Sequence, residues 1–381
     1  MIAHRAQAVA LSGCLALAAL PLSACGALTK DAVESKNASV ATSAEDAGGM
    51  ESLVAAAKKE GRLNAVAIPR DWANYGDLID GFEKKYGITV HVSNPDGSSE
   101  DEIKAVKADK GKNHTPDILD VGGSFARDAA REGLLATYKV EPFSKIPKTH
   151  KDPRARWYND YGGYISIGCD ANRVETCPES FAQLLRPEYA GKVAINGNPN
   201  KSGSAFGVVY AAALANNGSF NDIEPGLDYF RKLKSRGNFN PVESTPATVS
   251  NGKTPISVDW DYLNAGYADQ FRDKGMDWQV SVPTDGVFAQ YYTQAINKKA
   301  PHPAAARLWQ EYLFSAEGQN HRLDGYARPV LMDAMKADGT LHEIAAAWLP
   351  EVEGVPRFPS EAQTVKAKKV VARGWSRAMS R

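Results

Sequence analysis

The chain reads as an α/β protein built from two lobes, each a mixed, mainly parallel sheet flanked by helices. Three observations point there. Short apolar runs rich in β-branched residues alternate with amphipathic helical stretches, in one set before about residue 135 and a second set after about 160. About 330 residues follow an N-terminal leader and polar linker, enough for two sizeable cores. After the leader, no apolar run approaches the length of a membrane span.

The leader comes first. Residues 1–25 carry Arg5 near the start, an apolar stretch from Ala8 to Leu22, and the small residues Ser23 and Ala24 before Cys25, the layout of a secretory signal. Leu22-Ser23-Ala24-Cys25 resembles the lipobox of bacterial lipoproteins, which implies that Cys25 becomes a lipidated N-terminus and that the protein sits outside the cytoplasmic membrane, held by lipid. Residues 26–49 are rich in Ala, Ser, Thr, Asn, Asp and Gly with almost no large apolar side chain, so they are expected to form a flexible tether.

The first set of elements opens with the helix MESLVAAAKKEG, closed by a glycine suited to its C-cap, and the strand RLNAVAI. ANYGDLIDGFEKKYG places Leu78, Phe82 and Tyr86 on one helical face; ITVHV follows as a strand. SSEDEIKAVKADKG is acidic first and basic last, as the helix dipole favours, and PDILDVGG is a short buried strand before the helix SFARDAAREGLL. The second set runs from GGYISIGC through helix SFAQLL, strand KVAING, helix SAFGVVYAAALANNG, helix NDIEPGLDYFRKLKSRG and strand TPISVDW. Strands DWQVSVP and FAQYYTQAIN come next, then the helices HPAAARLWQEYLFSAEGQ and LHEIAAAWL, and a last helix with Ser360 and Gln363 in capping-box spacing.

Composition excludes several classes. Lys plus Arg and Asp plus Glu are both 45, so no net field recruits nucleic acid. With Cys14 in the leader and Cys25 lipidated, Cys169 and Cys177 remain; two thiols in an oxidising compartment imply one disulfide, and the seven residues between them allow the turn. No further cysteine or clustered histidine completes a zinc set, so neither metal nor cofactor is expected.

Gly252-Lys253-Thr254 imitates the end of a phosphate loop, but Ala247 stands where its first glycine belongs. His342-Glu343 lacks the second histidine of a zinc protease, since position 346 is alanine. Gly122 to Ala126, GGSFA, follows a strand and opens a helix like a nucleophile elbow, which makes a serine hydrolase using Ser124 the enzymatic rival; a Gly-Gly-Ser turn at a helix start serves equally to offer donors to a ligand. Asp259 and Asp261 flank Trp260 at a strand end and would share a face of an extended chain, suited to an amine. Trp72 and Tyr75 follow the first strand, and Ser202, like Ser124, precedes a helix; each can contact a ligand, or pack and cap.

From about Leu53 onward the order of elements resembles the solute-binding proteins of bacterial ABC importers, in the branch that includes polyamine, iron(III), thiamine and phosphonate binders. The phrases LLRPEYAGKVAINGNPNKSG and APHPAAARLWQEYLFSAEGQNHRLDGYARPV carry the likeness. The resemblance implies a type II periplasmic-binding-protein fold, with residues 50–165 plus about 287–335 in one lobe and about 166–286 plus 336–381 in the other, and a cleft between. It implies no enzyme, but a monomer whose partners are a small solute and the importer's permease. The iron branch uses two consecutive tyrosines; the pair here, Tyr291-Tyr292, lies later, and in a regular strand the two side chains point apart. Asp259, Trp260 and Asp261 resemble the acidic and aromatic lining of polyamine binders, so an organic cation is the expected solute, with Trp72, Tyr75 and Tyr291 as further contacts. A phosphonate or other anion held at Ser124 and Ser202 is the alternative.

Overall fold

The computed structural model describes residues 38–108, 112–353 and 358–380. The leader, Cys25 and residues 26–37 lie outside the described residues. In chain order the main elements are α1 (Met50–Glu60), β1 (Arg62–Val66), α2 (Tyr75–Tyr86), β2 (Thr89–Ser93), α3 (Ser99–Ala108), β3 (Ile118–Gly122), α4 (Gly123–Arg131), β4 (Tyr158–Asp170), β5 (Val193–Ile195), α5 (Gly203–Ala215), α6 (Glu224–Ser235) and α7 (Pro246–Ser250). There follow β6 (Ile256–Trp260), α8 (Asp261–Gln270), β7 (Trp278–Ser281), β8 (Ala289–Ile296), α9 (Pro303–Leu313), α10 (Ala316–Asp324), β9 (Arg328–Pro329), α11 (Met332–Asp338), α12 (Glu343–Ala347) and α13 (Glu361–Met379).

Local chemistry explains the boundaries. Gly61 closes α1 in the left-handed region, its N–H bonded to the Ala57 carbonyl, a geometry that glycine adopts without steric cost. Ser360 and Gln363 cap α13 reciprocally. The stretch expected as one helix from Pro303 onward is two, because Ser315 caps a new helix by accepting from the Gly318 N–H. SFAQLL, expected as a helix, forms only a 3-10 turn at Gln183–Leu185: Pro187 forces Arg186 into extended backbone and stops propagation.

The strands divide into two halves around β4. Its first part pairs with β8, which pairs in turn with β3; its second part pairs with β6 and β7, and β6 with β5. Beside β3, β1 and β2 run parallel, linked to it by the Asp117 N–H donating to the Asn64 carbonyl. Among the described residues, only β1–β2 and β5–β6 are parallel ladders. The antiparallel share exceeds what alternating strands and helices imply, because β4 and β8 are long strands running in opposite directions along the junction.

Each half has its own core. In the first, Leu53, Phe82, Trp309 and Leu323 pack together, with a satellite of Val121, Ala126 and Leu135 under α4. In the second, Val208, Phe230, Trp260 and Phe288 do so around the nearly all-apolar α5. The Cys169–Cys177 disulfide is formed in the second half, with Cα atoms 5.8 Å apart. Two placements differ from expectation. Residues 336–347 pack on the first half, where Leu341 and Ala345 join its core; α13 lies on α6, its Trp375 ring 5.1 Å from that of Phe230. The last part of the expected tether is docked: buried Arg307 donates to the carbonyls of Ser39 and Ala41, and the Lys139 N–H to that of Thr42. A guanidinium removed from water needs acceptors for its N–H groups, and these carbonyls supply them.

Candidate functional site

The halves meet across a cavity of about 460 Å³. The first half contributes the loop after β1 with Asp71 and Trp72, the loop before α3 with Asp96, Ser98 and Ser99, then Glu102 of α3, Asp120 of β3 and Tyr292 of β8. Facing them are Asn196, Ser202 and Gly203 at the start of α5, Glu243 to Ala247 leading into α7, and Leu263 and Tyr267 of α8. At the rear the halves touch: a Cβ on Gly122 would lie 3.5 Å from the Gly203 Cα. The Trp72 ring also meets Tyr262 and Tyr292 edge-on, at 6.0 and 5.4 Å. Ala67 on the first wall adopts positive φ, as do Ala73, Asn74 and Asn94 close to wall residues in sequence, a cost that persists where the surrounding fold holds a loop in shape.

The wall is strongly acidic. Asp71, Asp96, Glu102, Asp120 and Glu243 line it, and among the described residues no Lys, Arg or His does. Glu102 and Asp120 are buried, at 2% and 4% exposure. One Glu102 oxygen accepts the Asp120 N–H at 2.8 Å; burial, and secondarily the neighbouring Asp120, hold its carboxyl well above the usual range. Asp120 accepts the Tyr161 hydroxyl at 2.7 Å and the Gln294 amide at 3.0 Å, and Tyr161 in turn accepts the Trp72 indole N–H at 2.7 Å. Burial pushes Asp120 up to about 6, against the opposing pull of Arg322. That arginine is fully buried between the rings of Tyr75 and Tyr161, 4.0 and 4.1 Å away, and paired with Asp160.

The residues expected from the sequence scatter. Trp72 and Ser202 are on the wall, Ser202 also capping α5 by accepting the Ala205 N–H. Asp259 is fully buried one layer behind, accepting from Ser204, the Trp260 N–H and the Asn196 amide, and it reaches the cavity only through Asn196. Burial pushes it up to about 6. The remaining five are corrections. Asp261 does not share a face with Asp259, because β6 ends at Trp260 and Asp261 begins α8, pairing with Arg328 instead. Trp260 is core, stacked on Phe288. Tyr75 starts α2 and lies off the wall; its hydroxyl accepts from Gln294, and its ring stacks on Trp309. Tyr291 points away, against His150 and Phe358, while its neighbour Tyr292 faces the cavity. Ser124 is buried in the first turn of α4, off the wall and without a histidine partner among the described residues.

Sequence reading missed Asp71, Asp96, Glu102, Asp120 and Glu243. Two signals were available: Ser99, Glu102 and Val106 form an i, i+3, i+7 stripe on one face of α3, and Asp120 interrupts an otherwise apolar strand. Among the described residues no group of three or more His, Cys, Asp or Glu is placed to hold a metal ion, and no helix is long and apolar enough to cross a membrane.

Two α/β halves enclosing a polar cavity, with the chain crossing between them inside a long strand, define a type II solute-binding architecture. Comparison with known proteins agrees. Residues 113–351 match the model of the bacterial extracellular solute-binding protein family, and the chain belongs to that family, whose members are the solute receptors of ABC importers. A periplasmic protein of Salmonella typhimurium named for 2-aminoethylphosphonate binding is 23% identical over 288 residues, covering 74% of this chain and 80% of the relative. Among solved structures, AgtB from A. tumefaciens in complex with agropinic acid superposes with a TM-score of 0.63 at 15% identity, covering 84% of this chain and 99% of that one. The ferric binding protein from Campylobacter jejuni superposes at 0.61 with 18% identity, covering 83% and 99%.

Proposed function

We propose that this receptor captures a small solute bearing at least one ammonium group, a polyamine or similar organic cation, and delivers it to its permease by closing the two halves around it. One observation carries the reading: among the described residues, five carboxylates and no cationic side chain line the cavity. A buried carboxylate without a counter-ion is costly, and an ammonium from the solute supplies the missing charge through charge-assisted hydrogen bonds. Closure follows from differential affinity, since a solute bridging both walls binds the closed state more tightly than the open one.

A second reading rests on the hydroxyls of Ser99 and Ser202 at the starts of α3 and α5, which face the same space. Helix starts favour anionic groups, so a solute with an ammonium at one end and a phosphonate at the other would use both kinds of wall. The name of the Salmonella relative supports that alternative. Thermal denaturation with putrescine, spermidine, 2-aminoethylphosphonate, thiamine and orthophosphate separates the two. A solute at 100 times its Kd adds about 2.7 kcal/mol of stability. Stabilisation by the amines supports the first reading; stabilisation by 2-aminoethylphosphonate alone supports the second; stabilisation by orthophosphate without either removes the ammonium from the account.

We also propose that the receptor acts as a monomer outside the membrane, anchored through lipid on Cys25. Intact mass of the membrane-extracted protein tests the anchor: acyl chains on a chain starting at Cys25 are expected, and a soluble chain starting elsewhere overturns it.

A further inference from the structure

The two sheets share β4, and the transfer between them falls between two adjacent residues. Tyr164 pairs with Ala289 of β8 in the first half, and Ile165 pairs with Trp260 of β6 in the second. A change in the angle between the halves would act on the backbone at this point. Asp261, the first residue of α8, holds it. Its fully buried carboxylate accepts the Tyr164 N–H at 2.9 Å and the Tyr262 N–H at 3.0 Å, and it takes a third hydrogen bond from Arg328.

Arg328 comes from the other half. It lies on β9, paired with Gly162, and its guanidinium sits 4.8 Å from the Tyr164 ring centroid. Its remaining arm donates to the Pro350 carbonyl at 2.8 Å, close to where the chain leaves α12 on the first half for α13 on the second. The backbone beneath is shaped for this contact: a Cβ on Gly163 would lie 2.2 Å from an Asp261 oxygen, and one on Gly162 would lie 2.6 Å from the Gln290 carbonyl. Neither Asp261 nor Arg328 lines the cavity.

We infer that Asp261 and Arg328 are positioning residues, a clamp across the crossing point that sets the angle between the halves and so the fraction of receptor in the closed state, without touching the solute. Apparent affinity scales with that fraction, so a tenfold fall in the closed population weakens binding about tenfold with every solute contact intact. A bidentate guanidinium is needed because one side chain must reach two acceptors in different segments; lysine offers a single point of contact.

Pulsed EPR distances between spin labels at Lys58→Cys in the first half and Lys232→Cys in the second, measured on the solute-free receptor, test the clamp independently of which solute the cavity takes. In Arg328→Ala and Asp261→Asn the distance distribution is expected to shift or broaden relative to the parent, and in Arg328→Lys to lie between. If Asp261→Asn does not fold, Arg328→Gln serves, since it leaves both backbone bonds of Asp261 in place. A folded variant with a lowered Tm but the parent's distance distribution would show that the pair only stabilises the fold, and would overturn the inference.

Discussion

The two walls of the cavity differ in kind. Asp71, Asp96, Glu102 and Asp120 all come from the first half, whereas the second offers Glu243 alone and otherwise the hydroxyl and amide groups of Asn196, Ser202, Ser244 and Thr245. The first wall is charged and backed by the Trp72–Tyr161–Asp120 relay. The second carries one acid, Glu243, among neutral groups, with Ser202 capping α5. The difference teaches that the halves divide the work. On the proposed reading, a cation would dock on the first wall and the second wall would add directional hydrogen bonds on closure.

The largest expected effect breaks the charged wall. Glu102→Gln or Asp120→Asn removes a buried acceptor for an ammonium, at about 2–3 kcal/mol or roughly 30–150-fold in affinity for the bound amine, readable by titration calorimetry. Loss of less than about threefold in both would show that the amine does not reach the inner wall.

Proton competition comes next. Asp120 and Asp259 both have carboxyls pushed up to about 6, so in the solute-free protein these groups hold protons more tightly than in the unfolded chain. Their contribution to stability is greatest at acid pH and is lost as pH rises through about 6. An amine prefers the ionised wall, so its affinity should fall by up to about tenfold per pH unit below 6. The solute-induced rise in Tm should accordingly grow from pH 5 to pH 7.5; a pH-independent rise would place the solute away from Asp120.

Smaller effects sharpen the contrast. Glu243 sits at the exposed rim, and Glu243→Gln is expected to cost about 0.5–1 kcal/mol of binding, two- to fivefold, an effect that 0.5 M salt erases. Ser202→Ala should lower stability by about 1 kcal/mol through the lost cap while leaving amine affinity nearly unchanged. A tenfold loss of 2-aminoethylphosphonate binding in the same variant would instead assign the second wall to an anion.

Much of the architecture is legible in the chain. Hydrophobic periodicity marks nearly every helix and strand, and Gly61 and Ser360 mark ends that the structure keeps. What periodicity does not carry is the change from strand to helix at Asp261, one residue after β6 ends, where the alternation of faces stops. Asp259 and Asp261 therefore part company, one toward Asn196 and the other toward the crossing point. Acidic side chains on α3 suit the helix dipole whichever way they face, which concealed that Glu102 turns inward while Glu100 pairs with Lys104 outside. In the Tyr291-Tyr292 pair strand geometry implies opposite faces, but only the packing of His150 and Phe358 decides which one is outermost.

The docking of residues 38–42 on Arg307 and Lys139 has a mechanical consequence. Twelve residues separate Cys25 from Ala38, a reach of at most roughly 40 Å at full extension, and they arrive on the first half alone. If Cys25 is lipidated as proposed, the acidic half would be the one tied to the membrane, and each capture would move the hydroxyl-bearing half relative to it.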